Sequence, residues 1–211
     1  MVGKSTPDGP IVLQKIDRDT AIIDVVGLSP VIPHKWSEKA LRMMRESQSG
    51  VKTRAKKDAK DPQAEAEGST YYLPDGRPGI PATAFKAAMV GAIRLFDGLT
   101  MVVAKSALFV EGDALDEQGN DLVAISGPRI LREDTPRNAT GVADLRYRYA
   151  YGNNDEPWRA TLKVTYLPRV IDQQSILLLL DAAGNGGVGD WRPSAPKSAT
   201  GTFGRFEVVG L

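Results

Sequence analysis

The residues best suited to chemistry in this sequence are cations placed beside aromatic rings. Arginine and tyrosine alternate as Arg146, Tyr147, Arg148 and Tyr149. Successive side chains of a β-strand point to opposite faces, so this pattern predicts one face of arginines and one of tyrosines. Guanidinium groups hold phosphate and tyrosine rings stack on bases, as single-stranded nucleic acid requires. An edge hairpin with one packed and one wet face has the same pattern, and both interpretations stay open.

A second group of cations is concentrated in one stretch of the chain. The formal net charge is +1, but residues 35–60 contain nine lysines and arginines against three acids, a local charge of +6. Such clustering, rather than the total, sets the field that a polyanion meets. Lys35, Lys39, Arg42 and Arg45 belong to this stretch, and we predict that they contact phosphate.

Glycines are dense near the C-terminus, where Gly184, Gly186, Gly187 and Gly189 lie within six residues and Arg192 follows. Glycine loses more freedom on folding than other residues, so such a loop persists where the backbone needs positive φ or a close approach. A dinucleotide fingerprint has this spacing, but it follows a strand and opens a helix, whereas this stretch follows a helical pattern. We predict that Gly186, Gly187 and Arg192 contact a ligand or a neighbouring subunit.

Catalytic candidates are few. The sequence has one histidine, His34, and no cysteine, which excludes disulfides, thiolate metal sites and cysteine nucleophiles. We interpret His34 as a turn or surface residue and expect no enzymatic activity, no cofactor, no metal and a cytoplasmic location. Asp17, Asp19 and Asp24 lie around the first predicted strand, where a carboxylate could assist metal-dependent RNA cleavage. A metal-dependent ribonuclease is therefore one alternative.

The elements that must position these groups follow from hydrophobic periodicity. We predict strands at residues 21–26, 101–110, 122–125, 142–149, 159–166 and 203–209, and helices at 36–46, 81–96 and 173–183. The strands at 142–149 and 159–166 are expected to form a hairpin. Residues 48–69 combine charge with few apolar anchors, which predicts a mobile basic insertion.

The order of these elements predicts an α+β fold. Its core is a ferredoxin-like (RRM-like) βαββαβ unit with inserted β-hairpins and the basic mobile loop. A length of 211 residues fits a single domain spanning 1–211. Because no run of about 18 apolar residues occurs, we expect no membrane partner.

Three short segments resemble a known superfamily. Residues 79–88 read Gly-Ile-Pro-Ala-Thr-Ala-Phe-Lys-Ala-Ala and look like the Ile-Pro-Gly-Ser-Ser-x-Lys-Gly segment that opens the first helix in the RAMP superfamily. That superfamily includes the backbone subunits of CRISPR effector complexes. The stretches at 184–189 and 201–206 are similar to its other, glycine-rich hallmark. The chain also resembles small phage-encoded proteins.

The resemblance implies an RRM-like protein that lines up in copies along guide RNA. A helix that starts at Pro81 presents free N–H groups to an anion, with Thr83 and Lys86 in its first turns, and these two residues join the predicted phosphate contacts. We therefore predict a non-enzymatic protein that binds single-stranded nucleic acid, RNA ahead of DNA, as a repeating subunit of a filament or ribonucleoprotein. The other alternative is a phage assembly or scaffold protein whose surfaces contact neighbouring subunits.

Overall fold

The chain folds into helices and antiparallel sheets, which is an α+β arrangement. A computed structural model describes residues 13–36, 38–50, 61–136, 141, 143–196 and 199–211. The helices are α1 (Glu38–Gln48), α2 (Pro62–Gly68), α3 (Ala82–Ala92), α4 (Met101–Ala107) and α5 (Gln173–Gly186), and a 3₁₀ turn at Ile93–Leu95 extends α3. The strands are β1 (Asp19–Gly27), β2 (Tyr71–Tyr72), β3 (Pro78–Pro81), β4 (Leu108–Glu111), β5 (Ala114–Leu115), β6 (Asp121–Ala124), β7 (Arg129–Asp134), β8 (Arg146–Tyr151), β9 (Arg159–Tyr166) and β10 (Phe206–Val208). Within these ranges no helix is long and apolar enough to cross a bilayer.

Four strands form the main sheet in the order β10-β1-β9-β4, and each neighbouring pair is antiparallel. Helix α3 lies between β1 and β4 in the chain, and α5 lies between β9 and β10, so the core elements follow the predicted strand-helix-strand-strand-helix-strand order. Ala21, Ile23 and Val25 of β1 are buried while the residues between them are exposed. This period of two makes β1 a strand with one packed face.

The core lies between the main sheet and the helices α3 and α5, which pack against each other. Phe85 and Met89 of α3 and Leu180 of α5 are fully buried. The ring of Phe206 meets Phe85 edge-on at 5.9 Å and Trp158 at 6.0 Å between ring centres. These large rings hold β10 and the start of β9 against the helices.

Two smaller sheets and α2 are added to this core. One sheet has the order β2-β3-β6-β5, and the other is the β7-β8 pair, on which α2 packs. The Asp61 carboxylate caps α2 by accepting from the backbone N–H groups of Gln63 at 3.0 Å and Ala64 at 3.1 Å. The predicted mobile insertion at 48–69 thus contains a capped helix at its C-terminal end. Residues 51–60 lie outside the described residues, and mobility there stays a prediction.

Residues 101–107 form helix α4 rather than the predicted strand. The Thr100 hydroxyl caps the helix by accepting from the Val103 N–H at 3.3 Å, and Ala104 and Ala107 are buried on its packed side. The cap and the two small residues outweigh the strand preference of the β-branched residues Val102 and Val103. Only the last part of the predicted strand, β4, enters the sheet.

The predicted hairpin between β8 and β9 is also corrected. Strand β8 pairs with β7, whereas β9 pairs with β1 and β4. Between them Gly152 has φ +79°, and a Cβ there would overlap the backbone of Trp158. The buried Trp158 indole donates from Nε1 to the Ser29 carbonyl at 2.8 Å. Burial of this ring directs β9 into the main sheet, which a local turn pattern cannot indicate.

Candidate functional site

An open groove of about 1250 Å³ lies beside α3 and the chain that follows α5. Four cations line it, Lys86, Arg94, Lys105 and Arg192, against one carboxylate among the described residues, that of Asp190. We call this feature the basic groove. Its surplus of positive charge suits an extended anion.

Two of the four cations have no hydrogen-bond or ion-pair partner among the described residues. Arg94 and Lys105 are exposed and make no hydrogen bond or ion pair with the described residues. Lys86 is half-buried, and its Nζ lies 4.2 Å from the centre of the Phe109 ring, a cation–π contact. Thr83, also in the groove lining, is exposed. The groove thus brings together the predicted contacts Thr83 and Lys86 with cations that the prediction did not include.

Sequence reasoning missed Arg94 and Lys105 for different reasons. Arg94 lies at the other end of the predicted helix, and only Thr83 and Lys86 in its first turns were considered, although Thr83 and Arg94 are eleven residues, about three turns, apart and so share a face. Lys105 could not be placed because residues 101–110 were expected to be a strand, whereas helix α4 brings this lysine to the groove.

The N-terminus of α3 opens into the same groove. Pro81 is the N-cap residue, no described side chain caps this end, and Pro81, Thr83 and Ala84 line the groove. The first backbone N–H groups of a helix lack intrahelical partners and favour anions. They add to the positive field of the side chains.

The glycine-rich stretch is mostly used within the chain. Helix α5 continues to Gly186, and Gly187 ends it with φ +68°. A Cβ on Gly184 would overlap the Phe206 carbonyl oxygen, and a Cβ on Gly187 would lie 3.0 Å from the carbonyl oxygens of Phe203 and Gly204. Backbone of this chain therefore fills the space that the sequence analysis assigned to a ligand at Gly187, which corrects that prediction.

Gly186 differs from these glycines. The nearest atom to a Cβ placed on it is the Ser194 Cβ at 3.5 Å, an ordinary contact, and Gly186 lines the basic groove. Arg192, opposite it, donates from Nη1 to the Gly189 carbonyl at 2.9 Å and from Nε to the Ser194 hydroxyl at 3.1 Å. These bonds hold the loop in shape and leave Nη2 of Arg192 for a ligand in the groove.

Backbone bonds fix this loop against the segment that follows β1. The Gly204 N–H donates to the Pro30 carbonyl at 2.8 Å, and the Asp190 N–H donates to the Ile32 carbonyl at 2.8 Å. Because both segments are held by main-chain bonds, the wall of the groove is preformed rather than assembled on binding.

The buried Arg148 is the centre of a polar network whose members His34 and Asp190 line the groove. Its Nη1 donates to the Tyr147 carbonyl at 2.9 Å and to the Ser69 hydroxyl at 3.2 Å. Its Nη2 lies 3.5 Å from His34 Nε2, and His34 Nδ1 lies 3.1 Å from the Asp190 carboxylate. This geometry fits the histidine tautomer in which Nδ1 donates to Asp190 and Nε2 accepts from Arg148.

The network changes the acidity of its charged members. Burial lowers the pKa of the Arg148 guanidinium, and Asp190 opposes that shift. Burial acts to raise the pKa of the Asp190 carboxyl, but the hydrogen bond from His34 and the positive charges of Arg148 and Arg146 outweigh it, so this pKa lies below its ordinary value. Asp190 is therefore held as a carboxylate that is paired inside the protein.

The arginine–tyrosine alternation of β8 is not a binding surface. Tyr147, Arg148 and Tyr149 are 9%, 7% and 6% exposed. The Arg129 guanidinium of β7 lies 4.4 Å from the centre of the Tyr149 ring, and Arg146, half-buried, pairs with Asp144 at 3.3 Å. Both faces of the strand are covered by this chain, so the prediction that Tyr147, Arg148 and Tyr149 contact nucleic acid is corrected.

The described residues of the basic stretch, 35, 36 and 38–50, are not part of the groove lining. Lys35 donates from Nζ to Gln118 at 2.7 Å, Arg42 lies 3.9 Å from Glu46 in the next turn of α1, and Arg45 is exposed. Lys39 belongs to α1, but its side chain is outside the described part of the structure. The predicted phosphate contacts thus divide between two surfaces, the basic groove and α1.

Two of the three candidate carboxylates around β1 are engaged within the chain. Asp19 accepts from the Tyr166 hydroxyl at 3.3 Å and Asp24 accepts from the Thr161 hydroxyl at 2.6 Å, while Asp17 is exposed. In the described ranges, no three acidic or histidine side chains are grouped as metal ligands would be.

Comparisons with known proteins show similarity at the level of structure, not of sequence family. No protein-family model matches the sequence, and no curated protein matches it significantly. The fold is similar to a chain in the cryo-EM structure of the Type III-B Cmr-beta bound to cognate target RNA, with a TM-score of 0.49 and 14% sequence identity. The match covers 90% of this chain and 58% of that chain, so this protein spans little more than half the length of that neighbour.

Proposed function

We propose that this protein binds single-stranded nucleic acid, RNA ahead of DNA, in the basic groove, as a non-enzymatic, repeating subunit of a ribonucleoprotein. The observation that carries the proposal is the convergence of Lys86, Arg94, Lys105 and Arg192 on one open groove. The preference for RNA rests on the resemblance of residues 79–88 and 184–189 to the RAMP superfamily. We further propose that the βαββαβ core, with its β10-β1-β9-β4 sheet, is ferredoxin-like.

The chemistry of the groove favours contact with a phosphate backbone over recognition of bases. Its cations come from α3, α4 and the loop after α5, and such cations hold phosphates without reading sequence. Between them the lining is formed by small residues such as Ala84, Ala87 and Gly91, which let a strand approach the helix closely. We therefore expect weak sequence preference and strong salt dependence.

The open face of the main sheet is less suited to this role. RRM domains stack bases on aromatic rings of that face. Here its polar side chains bond to each other: Lys163 and Thr165 donate to Glu111 at 2.5 and 2.6 Å. Phe109 is the one aromatic residue on the described part of this face, and it is engaged by Lys86.

The proposal of a non-enzymatic role is supported by the contacts of the candidate acids. Asp19 and Asp24 accept hydrogen bonds from Tyr166 and Thr161, which accounts for both as structural groups. Incubating the protein with labelled single-stranded RNA and magnesium tests this directly. Intact RNA is the expected result, and cleavage that Asp24→Asn abolishes would overturn it.

Salt-dependent binding tests the proposed function. Fluorescence anisotropy with single-stranded RNA and DNA oligonucleotides should give an affinity that falls steeply with salt. Lys86→Gln, Arg94→Gln and Lys105→Gln together should reduce the log–log salt slope by about 2, at roughly 0.7 per lost phosphate contact, and weaken binding more than tenfold.

A matched control variant removes the same number of positive charges at positions outside the basic groove. Arg18→Gln, Arg159→Gln and Lys163→Gln together also remove three positive charges, from exposed positions in or beside β1 and β9. The proposal requires that this control keep most of the affinity and slope. Equal loss in the two triple variants would mean that only net charge matters and that the groove is not the site.

The second candidate function is structural assembly without nucleic acid. Leu95, Phe96, Val102 and Val103, between the end of α3 and α4, are exposed apolar residues, from 41% to 77%, and such patches mark protein interfaces. Self-association with no measurable RNA or DNA binding at low salt would favour this candidate.

A further inference from the structure

We propose that helix α1 of one copy docks into an apolar groove at the opposite end of the next copy. This inference deepens the proposed self-association and rests on it. The occupant is a second copy of this chain because each molecule exposes both surfaces. One is a helix with exposed apolar side chains, the other is an apolar groove, and the charges around them are opposite.

The donor surface consists of exposed apolar side chains of α1 and of Trp36, two residues before the helix. Met43 and Met44 are 48% and 38% exposed, and Trp36 is 54% exposed. Methionine side chains are flexible and polarisable, so they adapt to irregular apolar grooves. Helices that expose apolar side chains are usual ligands of hydrophobic grooves, and Met43 and Met44 are consecutive exposed residues of α1.

The receiving surface lies between the end of α3 and the start of α5. A groove of about 370 Å³ runs there, and we call it the terminal groove. Three of its lining residues, Phe96, Val170 and Leu178, are 42%, 40% and 44% exposed. Apolar side chains on a concave surface favour binding because a partner removes them from water, which is the effect that also stabilises a protein core.

The charges around the two surfaces are complementary. Arg42 and Arg45 flank the methionines of α1 and are exposed. Asp97 and Asp172 line the terminal groove, and Arg169, its one described basic residue, bonds to Gln14 at 3.2 Å. Opposite charges at the rim of an apolar contact direct the encounter and fix its orientation.

The positions of the two surfaces determine the kind of assembly. Asp19, which begins β1, pairs with Tyr166, and the terminal groove follows directly after Tyr166. The chain leaves the other end of β1 at Gly27, and α1 begins eleven residues later, at Glu38. A contact between opposite ends is head-to-tail, so it repeats from copy to copy and forms a ring or a filament. The basic groove contains neither surface and stays free for nucleic acid.

Sedimentation velocity without nucleic acid tests this contact. The wild-type protein should form oligomers whose size increases with concentration. Met43→Ser with Met44→Ser should leave a monomer, and so should Phe96→Ser with Leu178→Ser. Ile22→Ser is the control, because Ile22 is 65% exposed on the open face of the sheet and its substitution should change nothing. Circular dichroism checks that each variant is folded.

Mixing the two variants gives the decisive result. One variant keeps the terminal groove and the other keeps α1, so their mixture can form one good contact per pair. Dimers without larger species are therefore expected. A mixture that stays monomeric, a wild-type protein that is monomeric at every concentration, or an Ile22→Ser variant that loses assembly would overturn the inference.

The same variants separate this inference from the proposed function. Both double variants keep the whole lining of the basic groove, so as monomers they should bind a short RNA oligonucleotide as the wild type does. RNA binding without self-association would reject the α1 contact alone, whereas self-association without RNA binding would reject the groove as a nucleic-acid site.

Discussion

Strand β8 and the basic groove both carry cations beside small or aromatic residues, yet they use them in opposite ways. Arg148 of β8 is 7% exposed. Its Nη1 and Nη2 groups contact the Ser69 hydroxyl, the Tyr147 carbonyl and the His34 ring. Arg94 and Lys105 are exposed and make no hydrogen bond or ion pair in the described chain. The same residue types are structural in one region and available in the other.

This difference shows that a cation's role depends on its hydrogen-bond and ion-pair partners within the chain rather than on its residue type. A buried charge must be paired and hydrogen-bonded, because leaving it alone is very unfavourable. Arg148 meets most of that requirement within the chain: its Nη1 and Nη2 have partners, and its buried Nε has none among the described residues. A cation that meets no internal acid keeps its charge for a ligand, which is the condition of Arg94 and Lys105.

The largest effect on stability is expected at Gly184. Like Arg148 it is enclosed by the chain, whereas Gly186 has room beside it. Gly184→Ala places a Cβ against the Phe206 carbonyl oxygen and should lower the free energy of unfolding by about 4 kcal/mol, an exceptional value for one methyl group. Gly186→Ala meets only Ser194 and should be neutral or stabilising by up to about 1 kcal/mol, because alanine favours helices.

Urea denaturation measures both glycine variants. Equal stability of the two would show that the close approach of α5 to β10 is not maintained in solution.

The next effect concerns Arg148 itself. Arg148→Met removes the donor that joins β8 to Ser69 and to His34, and should destabilise the fold by about 3 kcal/mol, as expected when one partner of a buried pair is lost. Arg146→Met is the control: Arg146 pairs with Asp144 at a half-exposed position and should change stability by less than about 1 kcal/mol. Chemical denaturation of the two variants compares them.

RNA binding by the folded Arg148→Met protein sharpens this result. Its affinity at low temperature should stay close to that of the wild type, since Arg148 contributes nothing to the groove lining. A stable but non-binding Arg148→Met variant would contradict the division between structural and available cations.

Much of the core could be predicted from the sequence because its signals are local. The β-branched run at 21–26 became β1, and the apolar stripe after Pro81 became α3. Asp172 caps α5 by accepting from the Ser175 N–H at 2.8 Å, at the start of the helix predicted over 173–183. In each case hydrophobic period and capping residue agree with the final packing.

The missed features depend on contacts between distant parts of the chain. Helix α2 is held by β8, since the Tyr147 N–H donates to Glu65 Oε1 at 3.3 Å. The burial of Tyr149 depends on Arg129 of β7, and no alternation within β8 could reveal that cover. Lys105 reaches the groove only because α4 is a helix. Site prediction failed where long-range packing decides exposure.

The smallest effect is the expected difference in RNA affinity between charge-removing variants of the basic groove and of α1. Arg94→Gln with Lys105→Gln should weaken binding of a short RNA about tenfold and reduce the salt slope by about 1.4, at roughly 0.7 per phosphate. Arg42→Gln with Arg45→Gln removes the same charge from α1 and should change affinity less than twofold. Anisotropy titrations across salt provide both values, and a larger loss from the α1 pair would place the RNA on α1.

Cross-linking tests most directly whether nucleic acid lies in the basic groove. The protein is irradiated with a photoreactive single-stranded RNA, and the attached peptides are identified by mass spectrometry. Cross-links should fall on groove-lining segments, around Tyr71, residues 83–94, Lys105 and residues 185–194, and should disappear in the Lys86, Arg94 and Lys105 triple variant. Cross-links concentrated on the open face of the sheet, around Ile22, Thr161 and Lys163, or on α1 would contradict the account.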